Sequence, residues 1–498
     1  MIDYSKKLTK ARKKASEVKG RDFNEEMESD RGRAINSAAV RRLQQKTQVF
    51  PLETNSAVRS RLTHSLEVQQ VGRYIAKLIL AELKKLGKIK QYNIAGLEDG
   101  FVSAVEISCL LHDIGNPPFG HLGEAAISEW AKRNITQIYA GFFDELKDSD
   151  KPEAHLSSIL VNDLCNFEGN AQAIRTLHSL QSLNLTYTQL AALIKYTRPA
   201  FEKRPEDGDK TYLQKKPGYY FSETELINCI YSSLDIAKGC RHPLAYIMEA
   251  ADDISYCIAD LDDAIEKGVL TVDALHIALQ DSWKTSSSSL KNNDDKEFLL
   301  NILTKSYTNF QTNEYHKEHA YILTLRTNLV NELSNFSKNR FIENHEEIFQ
   351  GTFNEPLLNG ENKFFLATEA LKFVAKKYVF IFPDVESLEL KGHAVLYGLL
   401  NIYKKLLELN YQEFTDLVKT NFLKDKPVET RLFHKLSNKH KYAYTNSLKK
   451  IEETDKQTLT LEDKLLEMYY RTRLVFDYVS GMTDQFALYE FRNLTAST

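Results

Sequence analysis

The sequence predicts an all-α protein, and three observations carry that expectation. Apolar residues recur at helical spacing along most of the chain. Proline and glycine fall where helices would begin and end. Strand-like runs are few and short. Between Arg61 and Lys85, Val68, Val71, Ile75 and Leu78 step by three and four, one face of a long amphipathic helix with His64 on the same inward face. From Phe101 to Ile114, Val105 and Cys109 share a face with His112. Pro243 to Lys267 reads as a third helix, opened by proline and followed by Gly268, and Ala394–Leu409 and Leu461–Val479 repeat the pattern. The best strand candidate is Tyr378–Phe382, bounded by Pro383. Breaks are expected at residues 145–155, at 203–210 (KRPEDGDK) and most clearly at 284–296 (KTSSSSLKNNDDK), a polar run that reads as a loop or a domain joint. The resulting division is a basic segment 1–60 packing on the core, a helical core 61–283, a polar loop 284–296 and a C-terminal helical region 297–498.

The 498 residues carry 65 Lys+Arg, 68 Asp+Glu and 42% hydrophobic residues, which excludes a disordered or collagen-like chain. No window of about 18 apolar residues is present, so no membrane span is expected. The first residues hold no apolar run of signal-peptide length, and the five cysteines (109, 165, 229, 240 and 257) include no Cys-x-x-Cys pair. Both observations point to free thiols in a cytoplasmic protein. Residues 1–60 hold 14 Lys+Arg and 8 Asp+Glu, a net of +6. That excess fits either a solvated face or a phosphate-facing surface, and composition does not choose between them.

The most informative stretch is CLLHDIGNPPFGHLGE, residues 109–124. An adjacent His112 and Asp113 at the end of an apolar helix would be costly to bury unless paired or bound to a metal. His64 and Asp252 lie on other inward-facing helical stretches. Two histidines and two aspartates make a nitrogen–oxygen donor set suited to Mg²⁺, Mn²⁺ or Fe²⁺, with Co²⁺ also fitting. The alternative is a group of hydrogen-bonded core residues. Asp252, Tyr256 and Asp260 repeat at steps of four, along one helix stripe. His121 and Glu124, three apart, would share a helix face.

His64, then His112-Asp113, then Asp252 resembles the H…HD…D signature of the HD phosphohydrolase superfamily. RLTHSLEVQQVGRYIA, LLHDIGNPPFGHLGEAAI, NFEGNAQAIR, KYTRPA, KKPGYY, MEAADDISYCIADLDDAIEKG, GTFN, RLFHKLS and SGMTD extend the likeness over residues from about 28 to 485, and together they resemble the bacterial dGTP triphosphohydrolases, close to the enterobacterial type. The resemblance implies an HD-domain helical core and cleavage of dGTP to deoxyguanosine and triphosphate. One divalent metal per subunit would be held by His64, His112, Asp113 and Asp252, with His121 as general acid oriented by Glu124. It implies that Arg61, Asn170, Lys195, Tyr196 and Lys216 meet the triphosphate, that Tyr256 packs on the deoxyribose, and that Asp260 and Gln48 take its 3′-hydroxyl. Phe380, Glu389, Arg431 and Val49 would face the base. Phe422 stands where the pattern has an arginine near the base, which leaves open a broader deoxynucleotide triphosphohydrolase. A different HD phosphohydrolase and a non-catalytic nucleotide- or nucleic-acid-binding HD protein are the further alternatives. The resemblance also implies a homohexamer and a single-stranded DNA effector. Arg31, Arg33, Arg41 and Arg42 would either line a DNA groove or pair within the fold.

Overall fold

The computed structural model describes residues 2–140, 152–452 and 460–496; most of the break expected at 145–155 lies outside the described residues. The fold is helical as expected, and among the described residues the single sheet is a short parallel pairing of Arg198–Pro199 with Pro217–Tyr219.

Three helices form the centre. Arg61–Lys85 starts at Ser60, whose side chain accepts from Thr63 N in a reciprocal capping box. Glu98–Leu111 is buried from Gly100 to its end. Pro243–Glu266 has proline at its first turn and stops at Lys267 before Gly268. The first two cross closely at Gly72, where an added Cβ would lie 2.4 Å from Cys109 Sγ; only glycine lets the two backbones approach so far. Around them Val272–Ser286, Asn293–Thr312, Lys317–Glu343 and Lys363–Ala375 complete one apolar cluster. A second cluster joins Gly120–Ile138 and Pro152–Cys165 to Pro383–Leu407 and Leu461–Ser480.

Two expectations change. Tyr378–Phe382 is not a strand: Lys376–Phe380 is a π-turn that prolongs helix Lys363–Ala375, and Phe382 caps the helix starting at Pro383. In that apolar run Val379 is fully buried while Tyr378 and Ile381 are exposed, which is burial of one helical face; the β-branched and aromatic composition misled. The polar run at 284–296 is mostly ordered helix. The preceding helix reaches Ser286, a 3₁₀ turn covers Ser287–Ser289, and Asn292 caps the next helix. Trp283 Nε1 donates to Lys296 O at 2.7 Å across the turn, and both helices pack on the first cluster.

The N-terminal arginines are engaged within the fold. Arg31 lies 3.7 Å from Glu106, while Arg33, Arg41 and Arg42 donate to the carbonyls of Leu183, Asn36 and Gly481.

Candidate active site

A cleft of about 430 Å³ opens where the two clusters meet, with Met248 and Val49 contributed by one and Phe119 by the other. That volume suits a small organic ligand.

On its inner wall stand His112 and Asp252, with the buried His64 directly behind them, and the donor atoms of the three lie within 4.8 Å of one another. Nε2 of each histidine lies 3.4 Å from Asp252 Oδ1. His112 Nδ1 is 2.7 Å from Cys109 O, a carbonyl that can only accept, so Nδ1 carries the proton and Nε2 turns a lone pair to the group. His64 is fully buried. Burial pushes the Asp252 carboxyl up, but His112, His64 and Lys195 outweigh it and hold it well below the usual carboxylate range. A divalent cation fits these donors, two imidazole nitrogens and a carboxylate. Asp113 sits beside them, with Oδ1 3.5 Å from His112 Nε2, and it is already engaged. Its Oδ1 accepts from Asn116 Nδ2 and its Oδ2 from Arg61 Nη1, both at 2.6 Å. Burial raises its pKa while His112 and Arg61 lower it more, to about 2.

Facing this group, His121 projects into the opening with 86% of its side chain exposed. Its Nδ1 lies 3.0 Å from Glu124 Oε2, and Glu124 Oε1 accepts from Gly169 N at 2.8 Å. The hydrogen bond to Glu124, with its negative charge, raises the His121 pKa. Glu124 is lowered, because that bond and the imidazolium charge overcome its own desolvation.

At one end the cleft is cationic. Lys195 Nζ is 3.7 Å from both Glu249 and Asp252, and Lys216 Nζ is 3.1 Å from Glu168. Asn170 Nδ2 donates to the same Glu168 oxygen at 2.8 Å, and Tyr196 lies alongside. Burial and the neighbouring Glu124 raise the pKa of Glu168. Sequence reasoning missed Glu168, although it stands two residues before Asn170 in the NFEGN stretch. It also missed Asn116 and Asp253, both of which line the cleft.

Gln48 and Tyr256 line the middle, and Gln48 Oε1 is buried without a partner. Asp260 lies one turn beyond Tyr256, fully buried and outside the residues that line the cleft; burial raises its pKa to about 8 against the lowering effect of the adjacent Tyr256 hydroxyl. Val49, Phe380 and Glu389 complete the other end. Arg431 is not brought to the cleft: it is exposed on helix Pro427–Lys435, where its Nη1 donates back to Pro427 O at 2.9 Å.

Residues 61–167 match the HD domain family, and residues 418–493 match the phosphohydrolase-associated domain. The chain is 48% identical over 480 residues, 94% of its length and 93% of the relative's, to a deoxyguanosinetriphosphate triphosphohydrolase of Enterobacter sp. (strain 638).

Proposed function

This chain belongs to the deoxyguanosinetriphosphate triphosphohydrolase family, and from that premise we propose that its cleft hydrolyses dGTP to deoxyguanosine and inorganic triphosphate. The observation that carries the reading is one cleft holding both the His64–His112–Asp252 donor group and the His121–Glu124 pair. When bound by His64, His112 and Asp252, with Asp113 beside them, Mg²⁺ or Mn²⁺ supplies charge neutralisation at the α-phosphate and acidifies an attacking water. Asp113 orients Arg61, whose guanidinium also reaches Gly120, the residue before His121. Lys195, Lys216, Arg61, Asn170 and Tyr196 offer the cationic and hydrogen-bonding groups that a triphosphate of up to four negative charges requires.

The bond that breaks joins the α-phosphorus to the 5′ oxygen, and the bond that forms joins the phosphorus to the water oxygen. The departing 5′ oxygen needs a proton, and His121, held protonated by Glu124, donates it. Tyr256 stands against the sugar, where a 2′-hydroxyl would collide. Gln48 Oε1, buried without a partner, and the Asp260 carboxyl beside Tyr256 take the 3′-hydroxyl. Phe380, Val49 and Glu389 meet the base.

Incubation with each of the four dNTPs and with GTP, in Mn²⁺ or Mg²⁺, followed by ion-exchange separation of products, tests this reading. Deoxyguanosine plus intact triphosphate from dGTP is expected; the absence of triphosphate from every nucleotide would overturn it. A broader deoxynucleotide range is the second reading. It is supported by the exposed positions of Arg431 and Phe422, which leave Glu389 as the acidic group among the residues lining that end. Triphosphate from several dNTPs would favour it. We extend the first reading to a homo-oligomer with single-stranded DNA as effector, in the cytoplasm. The exposed apolar Phe373, Ile381 and Leu390 support the oligomer, and sedimentation with and without an oligonucleotide measures both.

A further inference from the structure

We propose that Asp484, which does not line the cleft, is a positioning residue that holds two cleft segments in register from the C-terminal end of the chain. Its Oδ2 accepts from Thr47 N at 3.0 Å and from Thr47 Oγ1 at 2.6 Å, and its Oδ1 accepts from Phe119 N at 3.1 Å. Thr47 immediately precedes Gln48 and Val49; Phe119 stands two residues before His121. One carboxylate thus fixes the strip that would meet sugar and base and the turn that presents the proton donor.

The turn needs such a hold. Phe119 has φ +61° and Gly120 φ +59°, and a left-handed conformation is strained for a bulky residue. The Phe119 ring is wedged under Gly392, where an added Cβ would come within 2.3 Å of it. Gly392 lies one turn beyond Glu389 on helix Pro383–Leu407, so the ring seats the turn against a helix that also lines the cleft. Lys46 adds a second arm from the same segments: its Nζ donates to Asn116 O at 2.5 Å and to Ser480 O at 3.2 Å. Asp484 is 1% exposed, and a carboxylate buried that far is costly unless its oxygens are hydrogen-bonded. All three donors come from the two cleft segments, 437 and 365 residues away in sequence.

This inference rests on the dGTP reading, so its test carries a readout independent of turnover. Asp484→Ala, Asp484→Asn and the control Thr483→Ala are compared with the parent protein. Thr483 caps the same terminal helix by accepting from Phe486 N, and its loss weakens that helix without touching the cleft segments. Asp484→Ala is expected to lower kcat on dGTP about 10- to 100-fold at unchanged Mn²⁺ affinity, the scale of loss for a displaced reacting group. Asp484→Asn, which keeps one acceptor oxygen, recovers part of it. Hydrogen exchange in the ligand-free protein quickens in peptides covering Thr47 and Phe119 for Asp484→Ala and not for Thr483→Ala. A kcat within twofold of the parent, unchanged exchange at both peptides, or an equal kcat loss in Thr483→Ala would each overturn the proposal. If the parent itself turns over no nucleotide, the dGTP reading falls while exchange still decides whether Asp484 holds the segments. If Asp484→Ala does not fold, Asp484→Asn and Thr47→Val carry the same comparison.

Discussion

His121 Nδ1 lies 3.0 Å from Glu124 Oε2, one turn along the helix Gly120–Ile138, while the other Glu124 oxygen is tied to Gly169 N. The pair therefore sets both the direction of the imidazole and its charge. Hydrogen bonding to Glu124 raises the His121 pKa, so the acid form persists to higher pH than a free histidine would allow. Activity that needs the protonated ring is present below that raised pKa and is lost as pH rises through it. Glu124→Gln removes the anionic partner, lowers the His121 pKa and moves the alkaline limb of the kcat profile to lower pH. An alkaline limb that stays in place would show that another group supplies the proton.

His121→Ala removes the donor altogether. A positioned general acid contributes about 10²–10⁴-fold, and a loss of that size in kcat on dGTP is expected. Mn²⁺ binding, measured by titration calorimetry, stays intact because His121 is not one of the three grouped donors.

Those donors make the converse prediction. EDTA treatment is expected to abolish hydrolysis, and added Mn²⁺ to restore it. His64→Ala removes one donor of the three and Asp252→Asn the negative charge of another, and both weaken Mn²⁺ binding in the calorimeter. Undiminished Mn²⁺ affinity in both variants would place the cation elsewhere.

Tyr256 lines the cleft one helical turn after Asp252 and one before Asp260. If its ring excludes a 2′-hydroxyl, Tyr256→Ala raises kcat/KM on GTP relative to dGTP. The lost sugar contact lowers the dGTP value at the same time. An unchanged ratio would locate the discrimination against ribose in another group.

How much of this was legible in the sequence depended on distance along the chain. Helix Pro243–Glu266 could be read because its apolar period, its opening proline and its closing glycine all lie within one short stretch. His112, Asp113, His121 and Glu124 were legible for the same reason, as one segment of mixed apolar and titratable residues. The run Tyr378–Phe382 failed because five apolar residues fit a buried strand or a helical turn equally well, and packing on helix Lys363–Ala375 decided it. Arg61 was read as a phosphate ligand, and its bond to Asp113 could not be seen because it joins two helices. The ties of Asp484 to Thr47 and Phe119 cross most of the chain and leave no local pattern.

Outside the residues that line the cleft, Arg473 and Asp163 form an ion pair with both side chains fully buried. Asp163 also accepts from Phe221 N at 2.8 Å and from Tyr469 Oη at 2.7 Å, so its charge is well satisfied. The Arg473 guanidinium stacks 3.5 Å from the Tyr220 ring centre, and the Tyr220 hydroxyl donates to Glu168 O beside the cationic end of the cleft. Removing only the carboxylate leaves a buried cation without its counter-charge, a change that costs about 3–5 kcal/mol. Asp163→Ala is therefore expected to lower the unfolding free energy by that amount in urea titration. The double variant Asp163→Leu with Arg473→Met removes both charges and recovers much of the loss. A double variant no more stable than Asp163→Ala would mean that the bonds to Phe221 and Tyr469, rather than the charge pair, hold this part of the core.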